Sequence, residues 1–320
     1  MSSIREEIDW IAGEIQSTAV QARESSSEIV KRVEALFRNE SSFDLTMDAN
    51  DERYVWRDTS CMWTPDEGDA GSGIVGATGA VPVDDRIRRE LRLYEHILPF
   101  MREQYARNRY SDEVLYIDKK SMVVGQTTKN FGGLFPPGFD AVEVCRMGVT
   151  YYDYYGWVDR DQNPDRLPRW APSAFIELLG EFIQSVHAPV YKCEADDQMC
   201  GFVGLHYNLE WVNAATVYKS RNRVLILSGQ STLIGASPGA LAVLGMEQFT
   251  PQLPSHLVSE KVRKYVDIER NLERDKPMEL ADLARRVRTE AEFKHTLNGR
   301  QFQITRAEVP ELGFHVVAIE

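Results

Sequence analysis

The residues best able to do chemistry gather between positions 151 and 206. Tyr151, Tyr152, Tyr154, Tyr155 and Trp157 crowd one short run around Asp153. Such rings offer flat walls, and the tyrosines add hydroxyls that donate and accept. Asp153 could accept from an amine, and an aromatic box can hold a quaternary ammonium group. Further on stand Arg169 and Trp170. The guanidinium of Arg169, or of nearby Arg166, could clamp a carboxylate through two parallel hydrogen bonds. His206 sits in an otherwise apolar run, Gly201-Phe202-Val203-Gly204-Leu205-His206, where an imidazole can donate, accept or titrate near pH ~6.5. Together these types suit a small polar organic ligand. Plainer readings stand beside them: tyrosines as core, Arg166 at the surface of a turn, Asp153 capping local backbone, His206 as a satisfied structural histidine.

Other chemistry is absent from the pattern. The six histidines are scattered, with no H-E-x-x-H and no pair at ligand spacing. No G-x-S-x-G elbow and no P-loop occur; Gly68-Asp69-Ala70-Gly71-Ser72-Gly73 lacks the Gly-Lys-Ser/Thr ending and reads as a solvated loop. The expectation is a chain that is not an enzyme and holds no cofactor or metal. The cysteines are Cys61, Cys145, Cys193 and Cys200, none in a C-x-x-C pair. Cys193 and Cys200 bracket a short polar loop, and facing strands would make a bridge between them easy. Such a bridge would imply an oxidising compartment; two unrelated free thiols are the alternative.

A formal net charge of -12 argues against nucleic acid, whose phosphates reward clustered Lys and Arg, and against a polybasic membrane patch. No apolar run approaches the roughly 18 residues needed to span a bilayer, and Met1-Ser2-Ser3 leads into charged residues without a signal-peptide core. A cytosolic protein and an excised soluble piece of a larger one both fit. At 320 residues the chain can support two modules with separate cores.

These side chains need elements to position them. Ile4, Ile8, Ile11, Ile15, Ala22, Ile29 and Leu36 recur at helical spacing, predicting one helix over 3–37, about 50 Å long at 1.5 Å per residue. Its length suggests a spine or a dimerising stalk. Short strands or packed loops are expected at 54–56 and 61–63. A second helix is expected over 84–108, capped by Asp84 or Asp85. The period then switches: strands over 114–118 and 122–125. Phe135 to Asp140 reads as a loop, and Pro164 with Pro168 bars a central element there. Strands near 175–179 and 181–187 precede the pair 189–192 and 201–209, and a helix starts at Asn208. A second αβ pattern follows: strands at 224–227 and 233–236, helices at 238–245, 257–268 and 278–291, and three strands over 293–298, 300–308 and 313–319 with a turn at Asn298-Gly299.

In order and spacing these segments resemble the double Cache, PAS-like sensor domains of bacterial transmembrane receptors. The likeness rests on Val114 to Asp118; Phe135-Pro136-Pro137-Gly138-Phe139-Asp140 followed by Tyr151-Tyr152-Asp153; and Asn163-Pro164 with Arg166 and Trp170. Ala188-Pro189-Val190-Tyr191 with Gly201 to Leu205 and Asn208 to Val212 continue it. So do Leu225 to Gln230, Leu233 to Ser237, Gly299 to Phe302 and Gly313 to Val317. The resemblance implies an α+β (α/β) fold with a long N-terminal helix followed by two PAS-like antiparallel-sheet modules in tandem. Residues 1–83 would be the spine and a segment packing on the distal module. Residues 84–215 would form a membrane-distal, ligand-binding module and 216–320 a membrane-proximal one. It further implies a periplasmic domain between two transmembrane helices that lie outside this chain, in a chemoreceptor, histidine kinase, cyclase or phosphatase receptor. The implied ligand is a small amine, amino acid-like molecule or organic acid, held by Tyr151, Tyr152, Asp153, Tyr155, Trp157, Arg169, Trp170 and His206. A homodimer through the N-terminal helix is a further expectation, and an interaction ectodomain without a small ligand is the alternative. Two departures stand out. Arg169-Trp170-Ala171 replaces the Arg-x-Trp-Tyr of many amino-acid sensors, and His206 stands where they place an Asp to receive the amino group.

Overall fold

The computed structural model describes residues 3–48, 51–56, 61–63, 72–77, 82–119, 122–127, 158, 161, 163–176, 181–192, 199–246 and 270–320. Helix α1 runs Ile4–Arg38, as its apolar stripe predicts. Ile8, Ile11, Ile15, Ala22, Ile29 and Leu36 are all buried. Burying each isoleucine contributes roughly 1.5–3 kcal/mol, which outweighs the propensity loss at Gly13 of about 1 kcal/mol. The chain forms two compact units. One comprises residues 1–20, 173–183 and 208–320, the other residues 21–172 and 184–207.

In the second of these units the strands are β1 (Val55–Trp56), β2 (Cys61–Trp63), β3 (Ser72–Ala77), β4 (Ser111–Asp118), β5 (Met122–Thr127), β6 (Arg169–Trp170), most of β8 (Glu181–Val190) and β9 (Gly201–Asn208). Their order is β1-β2-β3-β5-β4-β9-β8-β6. Pro189 can sit in β8 because two-residue β6 ends opposite His187, so no neighbour on that side needs its missing N–H. The expected helix over 84–108 is two helices, α2 (Asp85–Glu95) and α3 (Leu98–Arg107). Pro99 in the first turn of α3 has no N–H to continue the ladder and forces the break. Asp84 caps α2 by accepting from the Ile87 N–H at 2.9 Å. Residues of α1, α2 and α3 pack with one face of the sheet into a core that includes Ile29, Val33, Leu91, Met101, Tyr116, Val124, Val186 and Val203. Strand β3 is absent from the sequence expectation because Ser-Gly-Ile-Val-Gly-Ala reads as a loop continuation. It pairs with both β2 and β5.

The other unit holds a five-stranded sheet of order β11-β10-β14-β13-β12. Its strands are β10 (Val224–Ser228), β11 (Leu233–Ala236), β12 (Glu292–Leu297), β13 (Arg300–Val309) and β14 (Phe314–Ile319). Helix α4 (Leu209–Ala215) is capped by Asn208, whose side chain accepts from Glu210 and Trp211. Helices α5 (Pro238–Leu244) and α6 (Met278–Thr289) build a core with Leu225, Leu227, Ile304 and Val317. Asn298 and Gly299 take φ of 51 and 73, the left-handed pair that a two-residue hairpin turn needs. Short strand β7 (Ala174–Ile176) pairs antiparallel with the first residues of β8. The expected helix over 257–268 lies outside the described residues.

Candidate ligand site

Side chains alternate across a strand, so a sheet with one face in a core has a second face to account for. In β4, β5, β8 and β9 that second face is apolar at one end, where Ile117 and Phe202 pack with Val158, Tyr191 and Met199, and polar at the other. Glu113, Leu115 and Ile117 come from β4, Gly125 and Thr127 from β5, His187 from β8, and Phe202, Gly204 and His206 from β9. It is also buried: Glu113 is 2% exposed, Thr127 and His187 0%, and His206 8%.

A register shift between Ser111 and Glu113 sets the arrangement. It inserts Asp112 as an extra residue, and a bulge of this kind re-aims the side chain beside it. Glu113 then lies opposite His206 on one side and Thr127 on the other. His206 Nδ1 is 2.8 Å from Glu113 Oε2, and the Thr127 hydroxyl donates to Glu113 Oε1 at 3.0 Å. The Ser111 hydroxyl donates to the His206 carbonyl at 3.0 Å, holding the strand at the bulge. A buried carboxylate needs such partners, because desolvation is expensive for an unmatched charge.

His187 packs its ring edge-to-face on Phe202, centroids 5.3 Å apart. Burial pushes its pKa down to about 3, and the neighbouring His206 adds to the depression. It is therefore a neutral imidazole near pH 7. Gly125 lets β4 and β5 close at this face: a Cβ there would lie 2.2 Å from the Val114 carbonyl oxygen. The patch thus offers a carboxylate suited to a cation, a neutral imidazole, a second imidazole beside the carboxylate, and a hydroxyl.

Of the sequence-predicted site residues, Tyr151, Tyr152, Asp153, Tyr155 and Trp157 lie outside the described residues, as does the 135–140 loop. His206 lies in the patch. Arg169 sits on β6 directly opposite His187. Trp170 does not join them. As the next residue along the strand it turns to the core face, where its ring meets that of Tyr207 at 6.0 Å, edge-on. Arg166, at φ 56, stacks its guanidinium 4.0 Å from the centroid of the Tyr191 ring. Asn163 is buried, and its side-chain amide both donates to the Leu167 carbonyl and accepts from the Leu167 N–H, closing the loop before β6.

The expected Cys193–Cys200 bridge involves a residue outside the described ones, Cys193. Cys200 is a free thiol. The Cys200 Sγ is turned onto the Val190 carbonyl at 3.3 Å and stands 3.8 Å from the Tyr116 hydroxyl. Burial pushes its pKa up to about 11, so it stays protonated. Cys61 is likewise free and buried.

Sequence reasoning missed Glu113, Thr127 and His187. The signal for Glu113 was present: counting back by twos from Ile117 through Leu115 puts it on their face. The β-rich run itself begins at Val114, and the charged Ser111-Asp112-Glu113 before it hides the strand's first residues. Among the described residues no three His, Cys, Asp or Glu side chains gather to hold a metal ion.

No protein-family profile matches the chain, and no curated protein does. Solved structures of similar course do exist. One is the sensory domain of the Campylobacter jejuni chemoreceptor Tlp3 with isoleucine bound, 10% identical over 99% of this chain and 91% of that one, TM-score 0.47. The extracellular domain of the presumed histidine kinase mmHK1S-Z3 is 14% identical over 71% of this chain and 79% of its own, TM-score 0.42. An extracellular ligand binding receptor from Desulfohalobium retbaense is 11% identical over 70% of this chain and 34% of that one, TM-score 0.39. By their names these are a sensory domain, an extracellular domain and an extracellular ligand-binding receptor.

Proposed function

We propose that this chain is the extracytoplasmic ligand-sensing domain of a bacterial signal-transduction receptor, and that it has no catalytic role. Its ligand is a small polar organic molecule held against the Glu113–Thr127–His187–His206 face. One observation supports this reading above others. The sheet has an apolar core on one face and a smaller apolar cluster on the other, yet beside that cluster it buries a carboxylate, two imidazoles and a hydroxyl. A fold that needed only a core would not bury them, since each requires compensation. Glu113 suits an ammonium group, and Arg169, across from His187, suits a carboxylate. Tyr151, Tyr152, Asp153, Tyr155 and Trp157 remain proposed as walls. Binding would favour one arrangement of the segments over this face, by no more than the ligand's differential affinity for the two states.

The test is a thermal-shift screen of amines, amino acids, organic acids and purines. A ligand at 100 times its Kd stabilises by about 2.7 kcal/mol. The hit should be lost in Glu113→Gln and His206→Gln; a hit unchanged in both would refute the site. A second reading, an interaction or dimerising ectodomain, has Trp10 in its favour, which is 56% exposed on α1. No helix among the described residues is long and apolar enough to cross a membrane.

A further inference from the structure

The core that α1 and α3 share is apolar at Ala22, Ile29, Val33, Leu98 and Met101. One junction within it is polar. Ser25 of α1, Gln104 of α3 and Asn108, the C-terminal cap of α3, are all buried. The Asn108 side-chain amide donates to Ser25 Oγ at 2.9 Å and to the Gln104 carbonyl at 2.6 Å. Buried polar groups add no hydrophobic stabilisation, and each must be matched.

The same asparagine reaches the sheet. Its carbonyl accepts from the Ser111 N–H at 3.0 Å, at the bulge that aims Glu113. The Ser111 hydroxyl is shared between the Glu113 carbonyl at 2.9 Å and the His206 carbonyl at 3.0 Å. The carboxylate and imidazole of those two residues then meet at 2.8 Å. Every step of this chain lies in the unit of residues 21–172 and 184–207. Helix α1 is unbroken, and its turns before residue 21 belong to the other unit. Two buried atoms at the junction are left over: Asn108 Oδ1 and Gln104 Nε2 have no hydrogen-bond partner among the described residues. They stand four residues apart, where side chains share a face.

We propose that Asn108 is a positioning residue that ties the state of the Glu113–His206 pair to the seating of α1; the proposal rests on the reading of that pair as the ligand site. The junction has two arrangements. In one, Asn108 holds Ser25. In the other, the Asn108 amide turns so that Oδ1 accepts from Gln104 Nε2, which satisfies both atoms and releases Ser25. A change at the pair that shifts Ser111 moves the hydrogen bond to the Asn108 carbonyl and biases the choice. Such a two-state junction is what lets one place in a fold report on another.

Amide hydrogen exchange, followed by mass spectrometry on the full chain, tests this without a ligand. Glu113→Gln perturbs the pair. Thr127→Val removes only the hydroxyl bonded to Glu113, and serves where the first variant does not fold. Exchange rates over residues 22–30 are read relative to those of α2, which shares the unit but not the chain of contacts, so a global loss of stability cancels. The perturbed protein should differ from wild type in this ratio by about fivefold or more, the lower end of a typical coupling. Ser25→Ala improves helix propensity and cuts the Asn108 contact, and in that background the same perturbation should leave the ratio unchanged. Arg107→Gln breaks the exposed ion pair of α3 with Glu28 of α1 and should leave the response intact. An unchanged ratio in Glu113→Gln and Thr127→Val, a response that survives Ser25→Ala, or one that Arg107→Gln abolishes equally, overturns the proposal. A thermal-shift hit unchanged in Glu113→Gln and His206→Gln refutes the ligand site and leaves the exchange result as it stands, so the two failures are told apart.

Discussion

His187 gives the sharpest quantitative test of the buried polar face. Its ring is 0% exposed, packed on Phe202, with His206 near it and Arg169 opposite on β6. Burial lowers its pKa from 6.5 to about 3. The unfolded chain therefore takes up a proton at this residue as pH falls below 6.5, and the folded protein does not until about pH 3. The sign follows: this histidine's contribution to stability is complete above pH 6.5 and is lost on acidification. Each pH unit in that window removes about 1.36 kcal/mol. Between pH 7.5 and 4.5 the loss from this one group is roughly 2.7 kcal/mol, and over the whole shift about 5 kcal/mol. His187→Leu and His187→Gln remove the titration. Both variants lose some packing stability at pH 7.5, but their stability should fall less steeply with acid. Urea unfolding at pH 7.5, 6.5, 5.5 and 4.5, fitted by linear extrapolation, measures the difference. Carboxylates elsewhere titrate alike in all three proteins and cancel. Parallel pH curves for wild type and both variants would show that the imidazole is not held neutral by burial, and the account of this face would fail.

Other outcomes follow from the same geometry. Removing one member of the Glu113–His206 pair should cost about 3–5 kcal/mol where it strands a buried charge, whereas the double change Glu113→Gln/His206→Gln should cost less than the sum of the singles. A double-mutant cycle by denaturant unfolding measures that coupling. Gly125→Ala should destabilise by roughly 3 kcal/mol or lose the fold, since its Cβ would meet a backbone oxygen that cannot swing aside. Asp84→Ala removes the α2 cap and should cost about 1 kcal/mol, with Asp84→Asn close to neutral, read from the urea midpoint. With Cys200 a free thiol, Cys193→Ala should leave the Tm unchanged in air-oxidised protein; a fall of several degrees would restore the bridge. If α1 mediates self-association, Trp10→Ala should shift sedimentation velocity from dimer to monomer.

Local patterning made much of the fold legible. The isoleucine stripe determined α1 to within a residue at each end, because burial of one helical face needs only spacing. The Asn298-Gly299 turn and the alternation of β12 determined the β12–β13 hairpin, since few other residues accept left-handed φ twice in succession. Of the two expected caps for α2, Asp84 and Asp85, it is Asp84 that accepts from the Ile87 N–H. What sequence left unsettled were the features decided by neighbours distant in the chain. Ser72–Ala77 becomes a strand because β2 and β5 offer partners on both sides. The 84–108 segment splits where Pro99 has no N–H to give.

The candidate site divides along the same line. The sequence by itself determined that the chain has two sheet-forming patterns behind one amphipathic helix, and that His206 interrupts an apolar strand. Only tertiary structure decided what His206 meets. Strand pairing sets Glu113 across from it, a bulge at Asp112 sets the aim, and β8 brings in His187 from 19 residues earlier. Strand alternation also parted Arg169 from Trp170, neighbours in sequence that face opposite sides. A one-residue choice of register exchanges the faces of a strand, and register is fixed by the whole sheet rather than by any one of its strands.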